Sequence, residues 1–439
     1  MSINQKIKPA STTINANGNL EIGGCDLVEL ANEYSTPLYI MDEATLRGVA
    51  REYKKAFSRL ENVNMMFASK ALMVSAIAKI LSQEGFGFDV VSSGELYTIK
   101  NANADMKNVT FNGNNKTYDE LEMALDLGVG RISADNFLEL ALLNEIAKSK
   151  NIKQKILLRI TPGIECHTHE YIQTGHLDSK FGFDLTQIDE AIELILQEYT
   201  NLELTGLHAH IGSQIFETQV YFDEIGVILK EIKRIKDKFA IELYEINAGG
   251  GLGVTYTDED CPPSIETIAQ VFAESIEKHC KEYNLKQPVL YIEPGRSIVA
   301  TAGVTLYTIG SSKQVPNGKK YIAVDGRMAD NPRPSMYGAK YFAQIANKKE
   351  GNNPQKVTVA GRFCESGDIL IKDIELNDPQ EGDLLCVYNT GAYGYSMSSN
   401  YNRVLKPAMV LVNSSQSDII VKRETLEQLI RNDVIPDRI

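Results

Sequence analysis

Between residues 63 and 296 the chain alternates short apolar runs with longer amphipathic or polar stretches, eight times over. The apolar runs fall at 63–69, 86–92, 109–114, 131–135, 155–160, 203–211, 244–248 and 289–293. Each has the length of a strand. The stretches between them, such as Met73–Gln83, Glu120–Leu127, Asn136–Ser149, Gln187–Gln197 and Tyr221–Asp237, are long enough for crossover helices. Repeated strand–helix alternation predicts an α/β fold with a parallel sheet, and eight strands are the number that closes a (β/α)8 TIM barrel. An open doubly wound sheet more often carries a glycine-rich turn after its first strand. Here that turn reads Ser69-Lys70-Ala71-Leu72.

After about residue 300 strand-like runs dominate, at 320–325, 356–361, 383–389, 406–412 and 418–422. Gly, Asn, Pro and Asp clusters such as Asn352-Asn353-Pro354 join them, which predicts a separate C-terminal β domain of sandwich or barrel type. The expected division is an N-terminal segment, 1–36, packing with that domain, then the barrel at 37–299 and the β domain at 300–439. Glu424–Arg431 is expected to form a short helix.

Composition narrows the functional classes. Of the 439 residues 43% are hydrophobic, enough for a sizeable core, and the net charge is −13. An acidic chain is poorly suited to binding a phosphate backbone, so nucleic acid is not an expected partner. No apolar stretch approaches the roughly 18 residues of a membrane span. Met1–Lys6 has no apolar signal-peptide core, and the six cysteines are scattered without a CxxC pair. Together these features predict a reduced, cytoplasmic setting. The cluster Glu165-Cys166-His167-Thr168-His169-Glu170 matches no zinc spacing, so no metal is expected.

Active sites of parallel barrels lie at the carboxyl ends of the strands, and the unusual residues of this chain collect there. Lys70 closes the first strand. A lysine at the end of a buried strand is expected to be poorly solvated, with a lowered pKa and a nucleophilic amine. Such amines form imines with aldehydes, of which pyridoxal phosphate is the commonest. Asp89 lies in the second strand and His208 and His210 on the sixth. The run Gly249-Gly250-Gly251-Leu252-Gly253 follows the seventh. It fails the dinucleotide pattern, because Val254 stands where the third spaced glycine belongs. Glycines there suit a phosphate nest instead, with Ser213 and Arg296 on the flanking strands adding a hydroxyl and a guanidinium. Glu293, ending the eighth strand, could keep a pyridine nitrogen protonated and so make the ring a strong electron sink. His210 is better placed to stack on such a ring than to act as a base.

Several segments resemble one family. Phe67-Ala68-Ser69-Lys70-Ala71, Leu207-His208-Ala209-His210-Ile211-Gly212-Ser213-Gln214, Ala248-Gly249-Gly250-Gly251 and Glu293-Pro294-Gly295-Arg296 are similar to signatures of the group IV pyridoxal-phosphate decarboxylases, which have the alanine-racemase fold. Further segments resemble the branch acting on meso-2,6-diaminopimelate. They are His167–Gly175, Asn331–Gly338, Cys364-Glu365-Ser366-Gly367-Asp368 and Thr390–Met397.

The resemblance implies a β domain like that of alanine racemase and pyridoxal 5'-phosphate held as an imine on Lys70. It implies that His210 stacks on the ring, that Glu293 pairs with the ring nitrogen, and that Ser213, Gly250, Gly251, Gly295 and Arg296 surround the phosphate. Asp89 and Tyr393 also become cofactor contacts. Arg296, Arg333, Tyr337, Glu365 and Tyr393 become substrate contacts, and Cys364 the proton donor. The family is an obligate homodimer in which Cys364 and Glu365 reach the other subunit's site. The implied reaction is decarboxylation of meso-2,6-diaminopimelate to L-lysine and carbon dioxide.

A substrate with an amino-acid group at each end needs a cation and an anion for its distal end, and Arg333 with Glu365 supplies both. Ornithine and arginine lack a distal carboxylate and would leave Arg333 facing a substrate cation. A carboxynorspermidine-type decarboxylase of the same fold is the other close alternative. A racemase would want arginine at position 293, and a catalytically dead binding protein would not need Lys70, Glu293 and Cys364 together.

Overall fold

The computed structural model describes residues 1–164, 179–348 and 353–439. The Glu165–Glu170 cluster and the His167–Gly175 motif lie outside the described residues. The chain divides into two compact units. The first comprises Met1–Gln5, Arg47–Val254 and Cys261–Ile298, and the second Lys6–Leu46, Thr255–Asp260 and Val299–Ile439.

The first unit is the expected barrel. Its strands are Val63–Ala68, Gly87–Val90, Val109–Phe111, Arg131–Ala134, Gln154–Arg159, Leu202–His208, Glu245–Asn247 and Val289–Ile292. Each pairs in parallel with the next, and the eighth closes on the first with Leu290 opposite Val63. Strand interiors are buried on both faces, which explains their near-continuous apolar character. Three of the helices that follow barrel strands start at side-chain caps. Ser92 accepts from Glu95 N, Thr117 forms a capping box with Glu120, and Asn136 accepts from Glu139 N. Among the described residues no helix is long and apolar enough to cross a membrane.

The second unit is sheet-rich. Its main path runs Ile369–Asn377, Pro354–Ala360, Lys320–Val324, Gly303–Gln314, Leu38–Asp42, Ala408–Asn413 and Gln416–Val421. Ala343–Ile345 and Leu384–Val387 pair with each other, and the latter also with Gly303–Gln314. Its core gathers Leu20, Ile22, Leu27, Leu38, Ile40, Val304, Leu306, Tyr388, Val410 and Val412.

This division departs from the expected boundaries at both ends of the N-terminal region. Leu38–Asp42, expected inside the barrel domain, is a central strand of the second sheet, antiparallel to Gly303–Gln314 and parallel to Ala408–Asn413. All five of its residues are buried. Residues 1–5 belong instead to the barrel unit. Buried Asn4 fixes them there, donating to Gly253 O at 3.1 Å and Pro263 O at 2.9 Å.

Candidate active site

All eight barrel strands run parallel, so their carboxyl ends share one side. Glu293 follows the eighth strand and is 6% exposed. Its Oε1 accepts from Asn247 Nδ2 at 2.6 Å and Asn112 Nδ2 at 3.1 Å. Asn112 also donates to Asp89 Oδ1 at 2.5 Å, so one amide bridges two buried acids. Burial, then the charge of Asp89, holds the Glu293 carboxyl well above the ordinary carboxylate range. Burial raises Asp89 as well, opposed by Lys70.

Lys70 lies in the single turn Ser69–Ala71 directly after the first strand. It is exposed, which corrects the expectation of a poorly solvated amine. The strand stops at Ala68, and the turn buries Ser69 and Ala71 on either side of Lys70. Its charge acts on Asp89, Glu293 and His210.

His210 Nδ1 accepts from Gly250 N at 3.2 Å, which requires a neutral ring protonated at Nε2. Burial, with the positive charges of Lys70 and Arg159, holds this imidazole well below its usual range. His208 is buried on the sixth strand. Its Nδ1 meets Ser133 Oγ at 2.7 Å, and its Nε2 stands 3.6 Å from Glu293 Oε2. Burial and neighbouring cations keep it neutral too, so this is not an ion pair.

The glycine run is built for close approach. A Cβ on Gly250 would stand 2.2 Å from Glu293 O, and Gly251 has φ +112° with Gly212 O only 2.7 Å from any Cβ. Glu293 N donates to Gly249 O at 2.5 Å, tying this turn to the eighth strand. The N–H groups of Gly249 and Gly250 are already engaged, by Asn247 Oδ1 and His210 Nδ1. Arg296 Nη2 donates to Ser213 Oγ at 3.0 Å, joining the two other expected anion donors. Gly295 lies against the first strand, where a Cβ would be 2.8 Å from that of Ala68.

The barrel unit thus brings together Lys70, Asp89, His210, Ser213, Gly250, Gly251, Glu293, Gly295 and Arg296. The remaining expected residues lie in the second unit. Arg333 is buried at the start of the helix Arg333–Tyr337. Its guanidinium centre lies 4.8 Å from the Tyr256 ring centroid, and Nη1 donates to Tyr341 Oη at 2.6 Å. Burial works against its charge, but these tyrosines outweigh it and favour the charged form. Tyr337 ends the same helix, half-buried. Tyr393 adopts φ +58°, a left-handed conformation that side chains seldom take. Cys364 and Glu365 are exposed. Their loop is braced by buried Asp368, whose carboxylate accepts from Phe363 N at 2.8 Å and Met328 N at 2.5 Å.

Sequence reasoning missed four residues of the barrel constellation: Asn112, Asn247, Arg159 and Ser133. Arg159 is buried at the end of the fifth strand, with Nη1 3.9 Å from Asp135 Oδ1 and its guanidinium 4.3 Å from the Phe181 ring centroid. The signal that could have found them is the one that found Glu293, a polar side chain at the carboxyl end of an apolar strand.

The family profile described as pyridoxal-dependent decarboxylase, pyridoxal binding domain, matches residues 45–300. The chain belongs to the diaminopimelate decarboxylase family of pyridoxal-dependent decarboxylases. The diaminopimelate decarboxylase of Synechocystis is 47% identical, covering 100% of this chain and 95% of the relative. That of Bacillus subtilis is 45% identical, covering 96% of each. The M. jannaschii diaminopimelate decarboxylase crystallised with L-lysine superposes with a TM-score of 0.93 at 34% identity, covering 99% of this chain and 100% of that one.

Pyridoxal 5'-phosphate is the cofactor of these decarboxylases, and the barrel residues fit it. Its aldehyde needs an amine, and Lys70 stands at the first strand end. Its ring nitrogen needs a buried acid, and Glu293 is held through one oxygen with the other turned towards His208. Its phosphate needs backbone room and a cation. Side chains are excluded at Gly250 and Gly251, with Arg296 and Ser213 alongside.

Proposed function

We propose that this chain decarboxylates meso-2,6-diaminopimelate to L-lysine and carbon dioxide, using pyridoxal 5'-phosphate. The observation that carries the reading is the buried carboxyl of Glu293 in a constellation that also holds Lys70, Asp89 and the glycine turn. The cofactor, when bound, supplies the electron sink that accepts the pair left by the departing carboxylate.

In this reading Lys70 Nζ would be the amine that holds the cofactor. Glu293 Oε2 would face the ring nitrogen and keep that nitrogen protonated, while Asn112 and Asn247 fix Oε1. An arginine at this position would leave the nitrogen unprotonated and weaken the sink. His210, neutral, offers a flat apolar face to the ring. Arg296, Ser213, Gly250, Gly251 and Gly295 surround the phosphate. Asp89 and Tyr393 complete the cofactor contacts.

Substrate choice follows from charge. Arg333, with Tyr337 and Arg296, takes the distal carboxylate, and Glu365 takes the distal ammonium. The rings of Tyr256 and Tyr341 lie 4.8 and 5.7 Å from the Arg333 guanidinium centre and support its charge. Cys364 Sγ returns a proton to the α-carbon. We read the enzyme as a cytoplasmic homodimer in which Cys364 and Glu365, exposed on one chain, serve the site of the other. The similarity to full-length relatives named diaminopimelate decarboxylase supports the substrate over ornithine or arginine.

The test is a carbon dioxide release assay across meso-diaminopimelate, ornithine, arginine and carboxynorspermidine. Release from meso-diaminopimelate, matched by L-lysine, is expected. Faster release from one of the others would overturn the substrate assignment.

A further inference from the structure

Asn247 makes two hydrogen bonds with one side chain, one to the acid Glu293 and one to the glycine turn. Its Nδ2 donates to Glu293 Oε1 at 2.6 Å. Its Oδ1 accepts from Gly249 N at 2.9 Å, closing a short turn at the head of the glycine run. The residue is wholly buried at the end of the seventh strand. Gly249 itself sits at φ +56°, where a Cβ would lie 2.6 Å from His210 Nδ1, so only glycine fits this turn. A backbone bond from Glu293 N to Gly249 O, 2.5 Å long, runs beside the side-chain bridge. Asn112 differs from Asn247 in an informative way. It holds the same Glu293 oxygen, but its other side-chain bond goes to Asp89, and among the described residues none goes to the glycine turn.

We propose that Asn247 is a positioning residue that sets the distance between the acid serving the ring nitrogen and the turn serving the phosphate. Both ends of a rigid cofactor must be met at once, and an amide is the side chain that can donate to a carboxylate and accept from a backbone N–H. Its removal therefore loosens both ends, whereas removal of Asn112 loosens only the acid end. The inference rests on the cofactor reading given above.

The experiment measures dissociation constants of pyridoxal 5'-phosphate and of pyridoxal, which lacks the phosphate, by equilibrium dialysis against the full-length protein stripped of cofactor. Pyridoxal reports the ring end, and the ratio of the two constants reports the phosphate end. Asn247→Ala and Asn112→Ala should both weaken pyridoxal binding. The preference for the phosphorylated form should fall about tenfold in Asn247→Ala, the upper size of one neutral hydrogen bond. In Asn112→Ala it should stay within about threefold of wild type, as expected when no phosphate contact is lost. Asn247→Asp keeps the acceptor for Gly249 N, so it should weaken pyridoxal binding yet retain the preference. Asn247→Leu fills a similar volume without either bond and gives the same reading should the alanine variant fail to fold.

An undiminished phosphate preference in Asn247→Ala or Asn247→Leu overturns the inference, as does an equal loss in Asn112→Ala. A wild-type protein that binds neither compound overturns the cofactor reading and the inference with it. A wild type with strong preference, unchanged by Asn247→Ala, sinks the inference alone.

Discussion

Glu224 shows how a single side chain can carry a pH dependence through the fold. It is fully buried on the helix Gln219–Phe239, and neither carboxyl oxygen has a hydrogen-bond partner among the described residues. Burial, then the charge of Glu293, raises its pKa well above the ordinary 4.5. A carboxyl with a raised folded-state pKa contributes stability fully below its unfolded value, and loses it as pH rises towards the folded value. Glu224→Gln removes that dependence and sacrifices no hydrogen bond. It should stabilise the protein by about 1–3 kcal/mol at pH 8 and far less near pH 4. Urea denaturation at the two pH values checks this, and equal effects at both would contradict it. Glu224 itself was not legible in the sequence, since its position in an amphipathic stretch reads as a solvated face. Lys70, Asp89, His210 and Glu293 were legible because charge is out of place at the end of an apolar strand. The exposure of Lys70 was not, because it depends on where the strand stops and which way the next turn faces. Arg333, Tyr337, Tyr393 and Cys364 came from resemblance alone, as they sit in short helices and loops without periodicity.

At the level of elements, the glycine turn after the seventh barrel strand is the least tolerant segment. Gly250→Ala would drive a methyl group against Glu293 O, across from the neighbouring strand. Such overpacking costs about 1–3 kcal/mol, and the variant should also lose most of its cofactor affinity. Thermal unfolding with and without pyridoxal 5'-phosphate checks both effects, and wild-type cofactor stabilisation would contradict the account. The eight barrel strands were readable because each is a short apolar run, and several are followed by a helix with a side-chain cap. The second sheet was read only in part, and Gly303–Gln314, Ala343–Ile345 and Ile369–Asn377 were missed. Ile369–Asn377 is interrupted by Asp373 at φ +54° and pairs with register shifts against Pro354–Ala360, which breaks the two-residue period. Gly303–Gln314 runs from a buried half into an exposed polar half. It pairs with Leu38–Asp42, more than two hundred residues away in sequence, and no local pattern announces that partner.

At the scale of the whole molecule, the account requires two chains to share chemistry. If each site takes Lys70 from one subunit and Cys364 from the other, Lys70→Ala and Cys364→Ala homodimers are both severely impaired. Dissociated and reassociated together, they should recover about one quarter of wild-type activity, the share of intact sites expected for random twofold dimers. No recovery, with mixed dimers demonstrated by mass, would place both residues in the same subunit's site. The central claim is simpler than that, because every role proposed depends on the cofactor being joined to one particular amine. Borohydride reduction of the purified holoenzyme, followed by peptide mass mapping, tests it directly. The account predicts a reduced pyridoxyl group on the peptide containing Lys70, with decarboxylation of meso-diaminopimelate abolished in step. A pyridoxyl group on any other lysine, or none at all, would contradict it.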